Sequence, residues 1–347
     1  MNSTKKIYSF LDDYSEGAHP KILEQLQQHN LLQDYGYGND SISKMAADLI
    51  KQEIANAEAE IHFVSAGTQA NLITLAAMLR PYESVIAPAS GHIAVHEAGA
   101  IEATGHKINT VTTIDGKLHP DQIQKVLQEH SDEHMVKPRA VFISNATEIG
   151  TIYNKAELEA LSAACRSNQL FLYLDGARLA SALAATEADI TLSEIANLVD
   201  AFYIGGTKNG ALLGEAIVLI NPTIKENFRF HLKQRGALLA KSRLIGAQFA
   251  ILFKDKLYLE LASHANQMAF KLSEGIKDLG YHFLSHSCTN QVFPILPDNI
   301  ISKLQQKFEF YTWSRTSADQ SAIRLVTSWA TPESAIDSFL KELAAIG

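Results

Sequence analysis

Residues 170–210 read LFLYLDGARLASALAATEADITLSEIANLVDAFYIGGTKNG. Two apolar runs in this stretch, Leu170 to Leu174 and Ala201 to Ile204, have the length and composition of buried strands. Each leads into a polar residue suited to chemistry. The first delivers Asp175 and the second Lys208, while Gly205, Gly206 and Gly210 keep the backbone around the lysine free of side chains. An acid at the end of one strand and a lysine after another are what pyridoxal phosphate requires. The lysine forms a Schiff base with the aldehyde, and the carboxylate keeps the ring nitrogen protonated so that the ring withdraws electrons. Taken singly, an Asp at a strand end or a Lys after two glycines is an ordinary turn residue. As a pair at the C-terminal ends of strands, where open sheets bind ligands, they point to one shared cofactor.

Composition bounds the remaining possibilities. The 347 residues suffice for one large core and a smaller domain, and a 46% hydrophobic, 20% charged chain is ordinary for a globular protein. Formal charge is −8 at pH 7 and no run is dense in Lys and Arg, which argues against nucleic acid or an anionic membrane as partner. Cys165 and Cys288 stand in no metal-ligand or CxxC spacing, so neither a disulfide framework nor a thiolate metal site is expected. With no apolar leader at the N-terminus and no long apolar run, the expectation is a soluble cytoplasmic protein.

Outward from the opening stretch, strand and helix signals alternate. Residues 1–40 read as an arm with a helix from Pro20 to about Leu32, and a second helix is expected near 42–57. The run IHFVSAGTQANLITLAAML from Ile61 reads as strand, turn and long apolar helix. The N–H groups of Gly67, Thr68 and Gln69 at that helix start could hold a phosphate, the plainer reading being an N-capping Thr68. Strands are expected at 85–89, 140–144 and 215–220, with helices near 119–130 and 155–167 between them. This pattern predicts a mostly parallel sheet with helical crossovers. His92 and His96 are four apart and would share a helix face. They lack a third metal ligand, and no metal site is expected; an imidazole lying over a cofactor ring is the sharper reading. From about 222 the chain becomes helical, with seven basic residues from Lys225 to Lys254 read as a charged face, and 290–297 and 322–329 read as strands of a smaller α+β domain. We therefore expect an N-terminal arm and large domain over 1–235 and a small C-terminal domain over 236–347.

The runs DYSEGAHP near the start, GTQAN, DGARL, GGTKNG and RLVTSWAT near the end together give the chain a resemblance. It resembles, over nearly its whole length, the threonine aldolase and β-eliminating lyase family of fold-type I pyridoxal phosphate enzymes, which share the aspartate aminotransferase architecture. The resemblance implies that Lys208 carries the cofactor, Asp175 meets its ring nitrogen and His92 stacks on its ring. It also assigns the phosphate to Gly67, Thr68 and Gln69, with a hydroxyl from Thr207. Arg178 and Arg324 would clamp the substrate carboxylate, a task suited to the planar, permanently charged guanidinium. Tyr37 and Arg243 would reach a neighbouring subunit's site, implying a homodimer or homotetramer with active sites at the interface. Two departures stand out. The family's N-terminal Ser-Asp is Asp12-Asp13 here, which puts an acid where a serine would touch the substrate carboxylate, and the family's second histidine aligns only with His134. The implied reaction is cleavage of L-threonine or L-allo-threonine, small amino-acid substrates, to glycine and an aldehyde, with His92 as the base for the β-hydroxyl. A phenylserine-like substrate, β-elimination or transamination could use the same lysine and aspartate. A cofactor-binding regulator using the basic helical face is the reading from another class, and the full set of cofactor residues weighs against it.

Overall fold

The computed structural model describes residues 8–347, so the first seven residues of the expected arm lie outside the described residues. Among the described residues the strands, in chain order, are β1 (Tyr8–Ser9), β2 (Glu60–Val64), β3 (Glu83–Pro88), β4 (Ile108–Val111), β5 (Lys137–Ser144), β6 (Phe171–Asp175) and β7 (Ala201–Gly205). There follow β8 (Glu215–Leu219), β9 (His282–Phe283), β10 (Gln291–Val292), β11 (Pro294–Pro297), β12 (Phe308–Glu309), β13 (Tyr311–Arg315) and β14 (Gln320–Val326). A seven-stranded sheet runs in the order β2-β8-β7-β6-β5-β3-β4. Its strands from β7 to β4 are mutually parallel, whereas β8 is antiparallel to both its neighbours. The sheet is thus mostly parallel, as the alternating pattern implied.

The unbroken apolar runs follow from burial on both faces. Side chains alternate along a strand, so each run feeds two cores. Leu172, Leu174, Phe202, Ile204, Val141 and Ile143 belong to one apolar cluster, and Phe171, Tyr173, Ala201, Tyr203, Ala140 and Phe142 to the other. Asp175 continues the Phe171–Tyr173 side and therefore faces the helix Gly67–Met78, which packs in that second cluster. The crossover helix Lys155–Ser167 starts as its sequence dictates. Asn154 caps Glu157 N–H at 2.9 Å and the Glu157 carboxylate accepts from Asn154 N–H at 2.9 Å, a reciprocal capping box.

The smaller domain carries a second, antiparallel sheet, with β14 between β10 and β11 and also paired with β13. Its core holds Leu272, Ile276, Leu296, Ile323, Leu325, Phe339 and, from the far end of the chain, Phe10. The long helix Leu257–Asp278 contributes to both regions, Leu257 and Leu261 to the first core and Ala269 and Leu272 to the third. The arm is anchored rather than free: β1 pairs in parallel with β12, and Phe10 exchanges backbone hydrogen bonds with Glu309 and Val326. That fixes Leu11 to Asp13 beside β14.

Gly176 marks the tightest point between β6 and β7. A Cβ there would collide with the Tyr203 carbonyl oxygen, a backbone atom that cannot swing away. Gly176→Ala should therefore lose about 3 kcal/mol of stability through overpacking, read as a lower denaturant midpoint; an unchanged midpoint would show that the two strands can part.

Candidate active site

Asp175 closes β6, and Lys208 follows the end of the neighbouring β7 by three residues. At the same edge arrive the segment after β3, with His92, Ser144 at the end of β5, and the segment after it, with Glu148. Strand order reverses between β3 and β5, since β4 lies outside β3 while β6 and β7 continue beyond β5. Crevices at such switch points are where open α/β sheets bind ligands.

The Asp175 carboxylate is 3% exposed. Its Oδ1 accepts from Ala177 N–H at 2.9 Å and its Oδ2 from Asn71 Nδ2 at 2.9 Å. Lys208 is part-buried, and burial followed by the charge of Arg178 shifts its amine toward the neutral form, against the pull of Asp13, Asp175 and Glu215. A neutral amine is the nucleophile that a carbonyl needs. Glu215 lies on β8 opposite Gly205 and accepts from Gly206 N–H at 2.8 Å. Burial pushes its carboxyl up to about 7, only partly offset by the Gly206 N–H and the Thr207 hydroxyl.

Arg178 forms a two-pronged contact with Asp13, Nε to Oδ2 at 2.7 Å and Nη2 to Oδ1 at 3.1 Å, and Asn290 Nδ2 adds a third donor to Asp13 at 2.8 Å. Burial pushes the Asp13 carboxyl up, but Arg178 and Lys208 outweigh it and hold Asp13 below the usual range. Arg324 donates from Nη2 to the Leu11 carbonyl at 3.1 Å and lies 5.0 Å from the Tyr311 ring centroid and 5.2 Å from that of Trp313. Its Nε is buried without a partner. Burial and then Arg178 weaken its hold on its proton. Arg178 thus commits its charge to Asp13, while Arg324 has no carboxylate partner and could meet a second anion.

The helix Gly67–Met78 begins at Ala66, which has no side chain with which to bond the first-turn N–H groups. Those of Gly67, Thr68 and Gln69 remain open to an anion. A Cβ on Gly67 would come within 2.8 Å of the Tyr203 hydroxyl, so the cradle needs glycine. Gln69 turns back, its Oε1 accepting from Ser65 N–H at 3.2 Å and Ser65 Oγ at 2.9 Å. Thr68, not acting as the cap, lies inside the helix. Close to Gln69, Arg235 has a buried Nε without a partner. His92 is held by two acids: its N–H donates to Glu148 Oε1 at 2.9 Å, and its Nδ1 lies 2.8 Å from Glu97 Oε1.

A neutral-leaning lysine, a buried carboxylate, an uncapped helix start and an imidazole form a donor set that fits pyridoxal phosphate. Among the described residues there is no group of three or more His, Cys, Asp or Glu placed to hold a metal ion, and no helix long and apolar enough to cross a membrane.

Several expected residues do not join this cluster. Asp12 closes a turn instead, its Oδ1 accepting from Tyr14 N–H at 3.1 Å and Ser15 Oγ at 2.8 Å; the acid in the pocket is Asp13. The Thr207 hydroxyl accepts from Gly214 N–H at 2.9 Å and so closes the lysine loop. Arg243 donates to the Leu32 carbonyl at 2.6 Å, and Tyr37 accepts at its carbonyl from Arg229 at 3.1 Å, both contacts with the arm. The helix face expected to carry both His92 and His96 is a single turn, His92–Val95, and His96 caps it with its ring 5.5 Å from that of His92. His134 lies in an exposed turn held by Asp132. Sequence reading passed over Asp13, Asn71, Glu97, Glu148, Glu215 and Asn290; only Glu97, five residues after His92, had a spacing that could have drawn notice.

Comparison with known proteins agrees with this geometry. The beta-eliminating lyase family profile matches residues 12–298. A low specificity L-threonine aldolase of Pseudomonas sp. is 32% identical over 99% of each chain, and the one from Escherichia coli K12 is 26% identical over 74% of this chain and 75% of its own. Among solved structures, a threonine aldolase of Leishmania major superposes with a TM-score of 0.97 at 48% identity, covering 98% of this chain and 99% of its own. A mutant aspartate aminotransferase from Thermus thermophilus, with a TM-score of 0.75 and 15% identity over 99% and 92% of the two chains, shares the fold alone. Fold and site define a fold-type I enzyme whose cofactor is pyridoxal phosphate. Within that class the chain belongs to the beta-eliminating lyase family.

Glu215 offers a pH test. Its folded pKa of about 7 lies above the ordinary 4.5, so its favourable contribution is complete below 4.5 and is lost as pH rises through about 7. Glu215→Gln mimics the neutral acid. Melting curves should show the wild type losing ground to this variant between pH of about 5 and about 8; parallel curves would mean that Glu215 is ionised throughout.

Proposed function

We propose that this protein cleaves L-threonine and L-allo-threonine to glycine and acetaldehyde as a pyridoxal phosphate-dependent carbon–carbon lyase. The observation that carries this reading is Lys208, a part-buried amine shifted toward its neutral form, near Asp175 and the Arg178–Arg324 pair. The threonine aldolase identity of relatives along the whole chain supports it.

Lys208 would hold the cofactor through its aldehyde, Asp175 its ring nitrogen, and the N–H groups of Gly67, Thr68 and Gln69 its phosphate, with His92 packed against the ring. When bound, the cofactor supplies the electron sink for the pair left on the α-carbon as the Cα–Cβ bond breaks. Arg178, held rigid by Asp13, and Arg324, with an unpartnered Nε, grip the substrate carboxylate. Fixing that end orients the Cα–Cβ bond. His92 takes the β-hydroxyl proton, directly or through one water. Asp12, turned into its own loop, has no part in substrate binding under this reading.

The chain works as a homodimer or homotetramer, Tyr37 and Arg243 reaching the neighbouring subunit's site. Leu31, Leu32 and Tyr35, exposed to 90%, 52% and 79% beside the Arg243 contact, support an interface there. A reducing cytoplasm suits the free Cys165 and Cys288.

The deciding experiment is to purify the protein, record its visible absorbance, trap the cofactor with borohydride and map the adduct, then assay acetaldehyde and keto acid from both threonine isomers. An adduct on Lys208 and acetaldehyde without keto acid are expected; an adduct elsewhere, or keto acid alone, would overturn the assignment. His92→Asn should lower turnover by about 10²-fold, and full turnover in that variant would remove the base role. If sites are shared, mixing inactive Lys208→Ala and Arg243→Ala proteins should restore part of the activity, whereas no recovery on subunit exchange would confine each site to one chain.

A further inference from the structure

Two buried polar residues of the pocket have no task in the chemistry above. Asn71 is fully buried on the helix Gly67–Met78, and Glu97, 6% exposed, follows the single turn that carries His92. Asn71 Nδ2 donates to Asp175 Oδ2 at 2.9 Å and to Glu97 Oε1 at 2.6 Å, while its Oδ1 accepts from the Tyr173 hydroxyl at 3.1 Å. Only this orientation of the amide is chemically consistent, because the flipped one would aim an oxygen at two carboxylates. Glu97 Oε1 also lies 2.8 Å from His92 Nδ1. The path from Asp175 to His92 is therefore a continuous chain of hydrogen bonds through one amide and one carboxylate.

Glu97 fixes which nitrogen of His92 bears the proton. Its Oε2 is buried with no partner, and its Oε1 meets both the Asn71 amide and the imidazole. An ionised Glu97 accepts only. A neutral Glu97 with its proton on Oε2 keeps Oε1 as an acceptor too, whereas a proton on Oε1 would be donated to Nδ1, the alternative that the measurement below separates. With Oε1 as the acceptor, Nδ1 of His92 donates, and in the neutral imidazole Nε2 is left with its lone pair. The His92 N–H bond to Glu148 Oε1 at 2.9 Å holds the backbone of the same residue.

We propose that Glu97, acting with Asn71, is a positioning residue that holds His92 in its Nδ1–H form and locks it to the carboxylate at the end of β6. The ring-face imidazole and the ring-nitrogen acid are then set by one unit drawn from three elements, β6, the helix Gly67–Met78 and the segment after β3. The lone pair on Nε2 is what an acceptor of the β-hydroxyl proton requires. That last consequence rests on the aldolase reading; the tautomer does not. A polar network serving only to fill the core would give the same hydrogen bonds, but its loss would not act through His92.

The test has two parts. The first is 15N NMR of the cofactor-loaded wild type with labelled histidine, the His92 signals identified by their absence in His92→Asn. A proton on Nδ1 is expected, and a proton on Nε2 overturns the proposal. The second compares Glu97→Gln, which keeps an acceptor oxygen, with Glu97→Ala, alone and with His92→Asn. Glu97→Gln should keep turnover within about fivefold and Glu97→Ala should lose about 10²-fold in kcat, the scale of losing a positioned base. Visible cofactor absorbance and KM should hold within about threefold. The double variant Glu97→Ala/His92→Asn should be no slower than His92→Asn alone. Multiplying losses, or cofactor absorbance falling in step with kcat in Glu97→Ala, would reduce Glu97 to a structural residue. If Glu97→Ala does not fold, the NMR result and Glu97→Gln still decide. A wild type that cleaves no threonine would remove the aldolase reading and leave the tautomer measurement standing.

Discussion

The contact between Asp13 and Arg178 joins the two ends of the structure. Arg178 comes from the turn after β6, and Asp13 from the arm whose Phe10 is buried in the small-domain core. Asn290, just before β10, bonds to the same carboxylate at 2.8 Å. Removing either charge would strand the other inside the protein, which is far costlier than losing an exposed pair. The pair is thus a hinge point in the electrostatic sense, since arm, large sheet and small sheet all close on it. It also holds the Arg178 guanidinium, with its long flexible side chain, in one direction before any substrate arrives.

Around that contact the pocket crowds charge of both signs. Arg178, Arg324 and Lys208, all part-buried, face the buried Asp13, Asp175 and Glu215. The strain is relieved through protonation states: Lys208 leans neutral and Glu215 is raised to about 7, while Asp13 stays ionised. The groups that give up charge are those closest to the lysine loop, and the groups that keep it are those aimed at an incoming carboxylate. A site that must both attack a carbonyl and hold an anion needs that division.

Asp175 and Lys208 were legible in the sequence because each ends a buried run, and a buried strand in an open sheet has one place to deliver its last residue. Gly67 was legible for a related reason, as a turn before an apolar helix. Asp13 was not. It neighbours Asp12, and only the anchoring of Tyr8–Ser9 against β12, a pairing about 300 residues apart in the chain, determines which of the two turns inward. Asn71 reads as one polar residue in an apolar helix and Glu148 as part of a loop, and they gain meaning from neighbours 26 and 104 residues away for Asn71 and 56 away for Glu148; Glu215 reads as the start of a strand, and its partner Gly206, nine residues away, is set by the antiparallel pairing of β7 and β8. Helical spacing overestimated the turn at His92, since Gly91 before it and His96 after it confine it to four residues.

The scaffold itself does not choose the reaction. An aspartate aminotransferase superposes with a TM-score of 0.75 at 15% identity, so the sheet and its strand ends tolerate different chemistry. Choice must come from side chains that set which bond to the α-carbon stands across the ring and which proton is removed. Under the proposed function, Arg178 and Arg324 would set the first by fixing the carboxylate. The second falls to what lies over the ring face, where His92 is bound through its Nδ1 side and its backbone to two acids, Glu97 and Glu148. A proton acceptor held at two points can favour loss of a hydroxyl proton over an α-proton by direction alone, without any difference in basicity. Selectivity between bond cleavages on one cofactor is in that sense a question of where a few buried carboxylates hold an imidazole.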